Sequence, residues 1–218
     1  IQNRVCAIIN LALFACSEKY VAILDELNVY TVNIRKGNAG GVRISLNHDR
    51  AFDEICAYLK SKGRHKLVYL AALNEDLAHQ DIRLGAYLDC VEKYGFVQDD
   101  RYVVFGDYPH ERAFAVGYKS AKQLCDSDVE FDSVLCMNDS VAMGAMKLFL
   151  ERGYKVPEDV CIIGCDNIIE GEYVTPSLST IDVETKKQGE AYVRAVIEQD
   201  NFTMEEINAR FVPRDSSV

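Results

Sequence analysis

A chain of 218 residues with 49% hydrophobic content can build one large core or two lobes that share a chain. Its formal net charge of −10 argues against gripping nucleic acid unaided, because phosphate contacts need clustered Lys and Arg. No apolar run approaches the ~20 residues of a membrane span, and the opening stretch lacks a clear small-residue cleavage site.

Short apolar runs alternate with amphipathic stretches, the pattern of a parallel α/β sheet. The opening IQNRVCAIINLALFACSEK reads as a buried strand over 5–11, followed by a helix over 18–27. A strand over 29–34, a flexible GNAGG loop at 37–41 and a short strand over 43–46 come next. Helix 50–62 leads into strand 66–71, helix 81–94 into strand 102–105, and helix 111–125 into strand 133–137. Helix 140–152 leads into strand 160–164, and a last helix covers 186–199. Gly63, Gly95 and Gly153 each follow a helix and are natural C-terminal caps.

The alternation breaks at 37–41, at the extended segment 174–187 and at 201–204. Three crossings imply two lobes hinged around a cleft, divided as 1–46 plus 183–203 and 47–182 plus 204–218. Paired acids at Asp99-Asp100 and Glu205-Glu206 are expected at turns or helix starts, where they suit the helix dipole.

The chemistry concentrates between Asp132 and Ile181. There one apolar run ends in Asn138-Asp139 and the next in Asp166-Asn167. Open parallel sheets bind small molecules beyond the carboxyl ends of their strands, so these pairs describe the rim of a ligand site. Catalysis has no such support. The chain lacks GxGxxG, GxxxxGK[ST], GxSxG and HExxH, and its four histidines are isolated in sequence. His79 approaches the 81–94 helix and either faces a cleft or packs on the surface. The eight cysteines sit mostly in apolar runs without metal spacing, which reads as reduced structural thiols in a cytoplasmic protein. No cofactor or metal is expected.

The stretch LCMNDSVAMGAMKLFLERGYKVPEDVCIIGCDN, with YVTPSLSTI after it, closely resembles the effector-binding core of the LacI/GalR family of bacterial transcription regulators. The family pattern is a strand ending in Asn-Asp, a small-residue helix, VPEDVSVVGFDD, then a tyrosine and TPPLTT. Weaker similarity extends to RISLNHDRAFDEICAYLKSKGRHKLVYL, IRLGAYLDCVEKYGF and the closing FVPRDSSV, so most of 43–218 is covered. The resemblance implies a two-lobed periplasmic-binding-protein-like α/β fold, parallel sheets flanked by helices. Against that pattern a helix-turn-helix domain and two opening βα units are missing, which implies an incomplete N-terminal lobe. The second acid after VVGFD is Asn167 here, and Cys165 replaces the aromatic before the first.

By the same resemblance, Arg83 matches an arginine that hydrogen-bonds effector hydroxyls through its planar fork. Asn138 matches an asparagine that both donates to and accepts from a sugar, and Asp166 a carboxylate that accepts from sugar hydroxyls. Asp139 and His79 join them as candidate ligand contacts. These have structural alternatives: a surface ion pair of Arg83 with Asp81 or Asp139, a helix cap for Asn138 or Asp139, a turn acid for Asp166. Ser140 could replace Asn138 as the cap. There is no Trp; Phe14, Tyr108 and Tyr173 are candidate ring platforms, with Tyr173 expected to pack beneath the site.

The expected function is the ligand-sensing domain of a LacI-type regulator. It would bind a sugar-like effector between its lobes and control DNA through a domain outside this chain, as a homodimer without membrane contact. The alternatives are the same sensor fused to a nucleotide cyclase or histidine kinase, or a solute-binding protein of a sugar transporter.

Overall fold

The computed structural model describes residues 7–11, 17–27, 29–32, 44–199 and 205–218. The expected loop at 37–41, the crossing at 201–204 and Phe14 lie outside these residues, as do the outer ends of the first three expected strands. The described residues fall into two compact units, one within Ile1–Asn47 and Glu184–Asn208, the other within His48–Val183 and Ala209–Val218.

In the first unit, β1 (Ala7–Ile9) pairs in parallel with β2 (Tyr30–Val32), and helix α1 (Glu18–Glu26) lies between them in sequence. Strand β3 (Ile44–Asn47) pairs in parallel with a late strand, Glu205–Asn208. The helix Thr185–Glu198 buries Ala191 and Ala195, four residues apart and therefore on one face. These small residues pack with Val32, Ile44 and Ile207 to form the core. Glu205-Glu206 is thus part of a strand and not a turn or helix start. Pairing with β3 outweighs the local preference of the acids.

The second unit carries a four-stranded parallel sheet. Its strands are β4 (Leu67–Leu70), β5 (Val103–Val104), β6 (Ser133–Cys136) and β7 (Cys161–Ile163), in the order β5-β4-β6-β7. Strands β4, β6 and β7 are buried at every residue, which explains their near-continuous apolar runs. Helix α2 (Asp49–Ser61) precedes β4 and packs on α4 (Ile82–Tyr94), which joins β4 to β5. Helices α5 (Ala113–Cys125) and α6 (Asp139–Glu151) pack together. Two short helices escaped the sequence reading: α3 (Glu75–Ala78) and α7 (Glu170–Tyr173), each too brief to show a period. Strand β8 (Thr180–Asp182) lies inside the segment expected to be merely extended, and α8 (Thr185–Glu198) begins before that segment ends.

The α5–α6 contact is close because both helices present glycine. A Cβ on Gly117 would stand 2.0 Å from the Val141 carbonyl oxygen, and one on Gly144 would stand 2.0 Å from that of Phe114. Gly63, Gly95 and Gly153 all have positive φ (+75°, +64° and +83°), as expected of residues that end helices. With β9 (Glu205–Asn208) in the first unit, the chain ends in β10 (Arg210–Val212), antiparallel to β8. Ser216 then donates to the Ile162 carbonyl and accepts from the Ser179 amide, which fixes the terminus beside β7. No helix among the described residues is long and apolar enough to cross a membrane.

Candidate functional site

From β4 the chain moves outward to β5 and then returns past β4 to β6. The winding therefore reverses at the β4–β6 pair, and the crevice beyond the carboxyl ends of these strands is where an open α/β sheet holds a ligand. Three of the expected residues meet at that edge.

Asp81 caps α4, its carboxylate accepting from the Arg83 amide at 2.9 Å. The same carboxylate grips the Arg83 guanidinium through Nε at 2.9 Å and Nη2 at 2.6 Å. Arg83 Nη1 donates to the Met137 carbonyl at 2.7 Å, just past the end of β6. The ion pair with Asp81 is real, but it is buried and not on the surface, the two side chains being 9% and 5% exposed. Burial favours the neutral carboxyl in Asp81, yet the hydrogen bonds and charge of Arg83 outweigh it and lower its pKa. In Arg83 burial opposes the charged form, and Asp81 overcomes it. Asp81 and the Met137 carbonyl engage Nε, Nη1 and Nη2, the Cys165 sulfur also interacts with the guanidinium, and the fork holds five N–H groups in all.

Asn138, between Met137 and Asp139, caps α6, its Oδ1 accepting from the Val141 amide at 2.9 Å. Ser140 is not the cap. The Asn138 NH2 group makes no hydrogen bond to a described residue. Asp139 is buried and braces the neighbouring loop: Oδ1 accepts from the Thr180 hydroxyl at 2.6 Å and Oδ2 from the Ile168 amide at 2.8 Å. A Cβ on Gly164 would stand 2.1 Å from Oδ1, so only glycine lets the carboxylate in.

That loop carries Asp166 and Asn167 with φ of +106° and +53°, a region that non-glycine residues seldom adopt. It is held by Asp166 N–H to the Ile181 carbonyl at 2.9 Å and by Arg214 donating to Asn167 Oδ1 at 2.8 Å. Strain of this kind gathers where a side chain must be aimed. The half-buried Asp166 carboxyl has its pKa raised by burial, with the Arg83 charge pulling the other way. The expected turn-acid role is therefore present together with an electrostatic link to Arg83.

The other candidates stand apart. His79 ends α3, 60% exposed, 4.0 Å from Glu75 and with its ring 6.1 Å from that of Phe105; it makes no hydrogen bond or ion pair to Arg83, Asn138 or Asp166. Tyr173 is 80% exposed and does not pack beneath the site, because α7 carries it into solvent. Tyr108 is half-buried where its amide meets the Ala72 carbonyl. A cavity of about 410 Å³ lined by Asn74, Phe105, Lys119 and Gln123 includes none of the three convergent residues. Glu111 and Lys119 on its wall pair with each other. Sequence reasoning offered Asp81 as the partner of Arg83 but placed the pair on the surface, and it missed His48 and Tyr69, both buried near the same ion pair. The only signal was a polar-tipped tyrosine inside an apolar strand. Among the described residues no group of three His, Cys, Asp or Glu side chains could hold a metal ion.

Two groups here load stability in opposite directions. Burial pushes Asp139 from 3.8 up to about 6, so between these values the folded chain alone holds the proton and stability falls as pH rises. Burial, with the charge of Arg83, lowers His48 from 6.5 to about 4. Between those values the unfolded chain holds the extra proton, and stability rises with pH. Each effect is about 3 kcal/mol and the two nearly cancel between pH 4 and 6. Asp139→Asn should therefore unmask a rise in the urea midpoint across this window, and His48→Gln a fall. Parallel profiles for the two variants would contradict the assignment.

Comparison with known proteins identifies the fold's relatives. A family profile described as periplasmic binding protein-like domain matches residues 56–217. The chain belongs to the periplasmic binding protein-like domain family. Among curated relatives of this periplasmic binding protein-like chain, the repressor CytR of Escherichia coli strain K12 is 35% identical over 135 residues, 62% of this chain and 38% of its own length. The regulator GalR of the same strain is 31% identical over 157 residues, 72% of this chain and 44% of its own. The chain thus spans less than half the length of these relatives. A LacI family regulator from Arthrobacter sp. FB24, solved with lactose, superimposes with a TM-score of 0.80 at 21% identity, covering 99% of this chain and 80% of that one. The resemblance to LacI/GalR effector-binding cores and the two-lobed-family α/β architecture it implied are borne out.

Proposed function

We propose that this chain is the ligand-sensing domain of a bacterial transcription regulator. It binds a small hydroxyl-rich effector, a sugar or related polyol, at the carboxyl edge of β4, β6 and β7. The observation that carries the reading is the convergence of Arg83, Asn138 and Asp166 at the reversal point of the sheet. Arg83 offers guanidinium N–H groups, Asn138 its NH2, and Asp166 a carboxylate that accepts from hydroxyl groups. Asp139 acts from behind, holding the Asp166 loop. The chain is a non-enzymatic, cytoplasmic homodimer that reaches DNA through a domain outside it. Control requires that the effector favour one of two states, since equal affinity for both shifts nothing.

The test is thermal unfolding of the 218-residue chain against sugars, sugar phosphates, polyols, purines and amino acids. A compound that binds only the folded chain stabilises it by about 2.7 kcal/mol at a hundredfold excess over its Kd. A shift for one class, lost in Asp166→Ala, supports the reading. A shift that survives Asp166→Ala removes the site, and silence across the panel removes the sensor assignment.

A further inference from the structure

Among the described residues of the second unit, two buried polar atoms have no hydrogen-bond partner: Nδ1 of His48 and the hydroxyl of Tyr69. Their residues are 6% and 1% exposed. Both feel the same ion pair, since Arg83 and Asp81 act electrostatically on each. Neither ring is free to seek a partner elsewhere. His48 meets the Phe52 ring edge-on at 6.4 Å, and Tyr69 stacks on Tyr87 at 5.1 Å. Other buried tyrosines here are satisfied: Tyr87 donates to the Leu67 carbonyl and Tyr102 to that of Glu130.

Buried polar groups are nearly always hydrogen-bonded, because leaving one unmade costs the desolvation of that group. Two such atoms within electrostatic reach of one ion pair, whose Arg83 donates to the Met137 carbonyl just past β6, mark a place that something from outside completes. We propose that His48 and Tyr69 are further effector-contacting groups, which hydrogen-bond an uncharged, hydroxyl-bearing part of the ligand next to Arg83. This rests on the reading of Arg83, Asn138 and Asp166 as the effector site.

The charges define the ligand class. Asp81 neutralises Arg83 through paired contacts, and Arg214 is engaged by Glu172 and Asn167. The imidazole of His48 is uncharged near neutral pH, and Asp166 and Asp139 add acids. Among these residues no uncompensated cation is left to receive a phosphate. The site takes a neutral polyhydroxyl compound and rejects its phosphorylated counterpart.

Calorimetric titration of the 218-residue chain with D-ribose, D-galactose and adenosine, each beside its monophosphate, tests this. At least one neutral compound should bind and its phosphate should not. Tyr69→Phe, which deletes one hydroxyl, should weaken that neutral compound about tenfold. Because no protein hydrogen bond is lost, its unliganded melting temperature should hold or rise. His48→Phe provides an independent reading with the same expected loss of affinity. An internal water bound to these atoms would give the reverse, a lower melting temperature with unchanged affinity. Equal binding of the phosphate overturns the inference, as does binding that depends on Asp166 but ignores both substitutions; the effector site itself survives those results. If no compound binds, the site and the inference fall together.

Discussion

Replacing Asp81 by alanine lowers the stability of this chain by about 3–5 kcal/mol. The substitution leaves the Arg83 guanidinium buried without its carboxylate partner, next to the neutral Met137 carbonyl and Cys165 sulfur. It also removes the side chain that caps α4. Most of the loss comes from the stranded charge, not from the pair's own attraction, so a second substitution distinguishes the two. Arg83→Leu added to Asp81→Ala should restore more than half of the loss, because an apolar residue of similar volume has no charge to desolvate. Urea unfolding of the single and double variants measures both terms. Additive losses would mean that the pair is not the buried unit described.

Gly144→Ala should cost about 3 kcal/mol, near the upper end of ordinary overpacking. The new methyl group would meet a backbone carbonyl oxygen at 2.0 Å, and backbone cannot swing aside as a side chain can. Helices α5 and α6 would have to separate, and α6 carries Asn138 at its start and Asp139 in its first turn. Effector affinity should therefore fall together with stability. Gly85→Ala supplies the control on α4, since a Cβ there meets nothing within 4 Å. Alanine is the better helix former by up to about 1 kcal/mol, so this variant should be slightly more stable than the parent. Similar losses at both positions would contradict the close α5–α6 contact.

Much of the second unit was legible because its signals are local. The runs ending at Met137 and Gly164 are apolar without alternation, as strands buried on both faces must be, and the three glycines after helices stand where left-handed caps are needed. Asn138, Asp166 and Arg83 could be named from their places in the motifs. The local Arg83–Asp81 pair could be named as well, but its burial could not, nor could the Arg83 contact with the Met137 carbonyl or the brace from Asp139 to Ile168, because these depend on elements distant in sequence. Short elements failed for a different reason. Helices of four residues, such as Glu75–Ala78, show no period, and a strand rich in acids, such as Glu205–Asn208, is decided by its partner strand. The unpaired atoms of His48 and Tyr69 had no sequence signal beyond residue type, since an orphaned group is defined by what surrounds it.

The most direct test of the central claim is where a bound compound touches the chain. Amide NMR titration of the labelled chain, with whichever neutral compound raises the melting temperature, gives that answer. The amides of Arg83, Asn138, Val141, Asp166 and Asn167 should move together and saturate at one Kd, as one site beyond β4, β6 and β7 requires. The contrary result is movement of the amides around the 410 Å³ cavity, those of Asn74, Phe105 and Gln123, while Asn138 and Asp166 stay still. The effector would then bind in that cavity, and Arg83, Asn138 and Asp166 would not form its site.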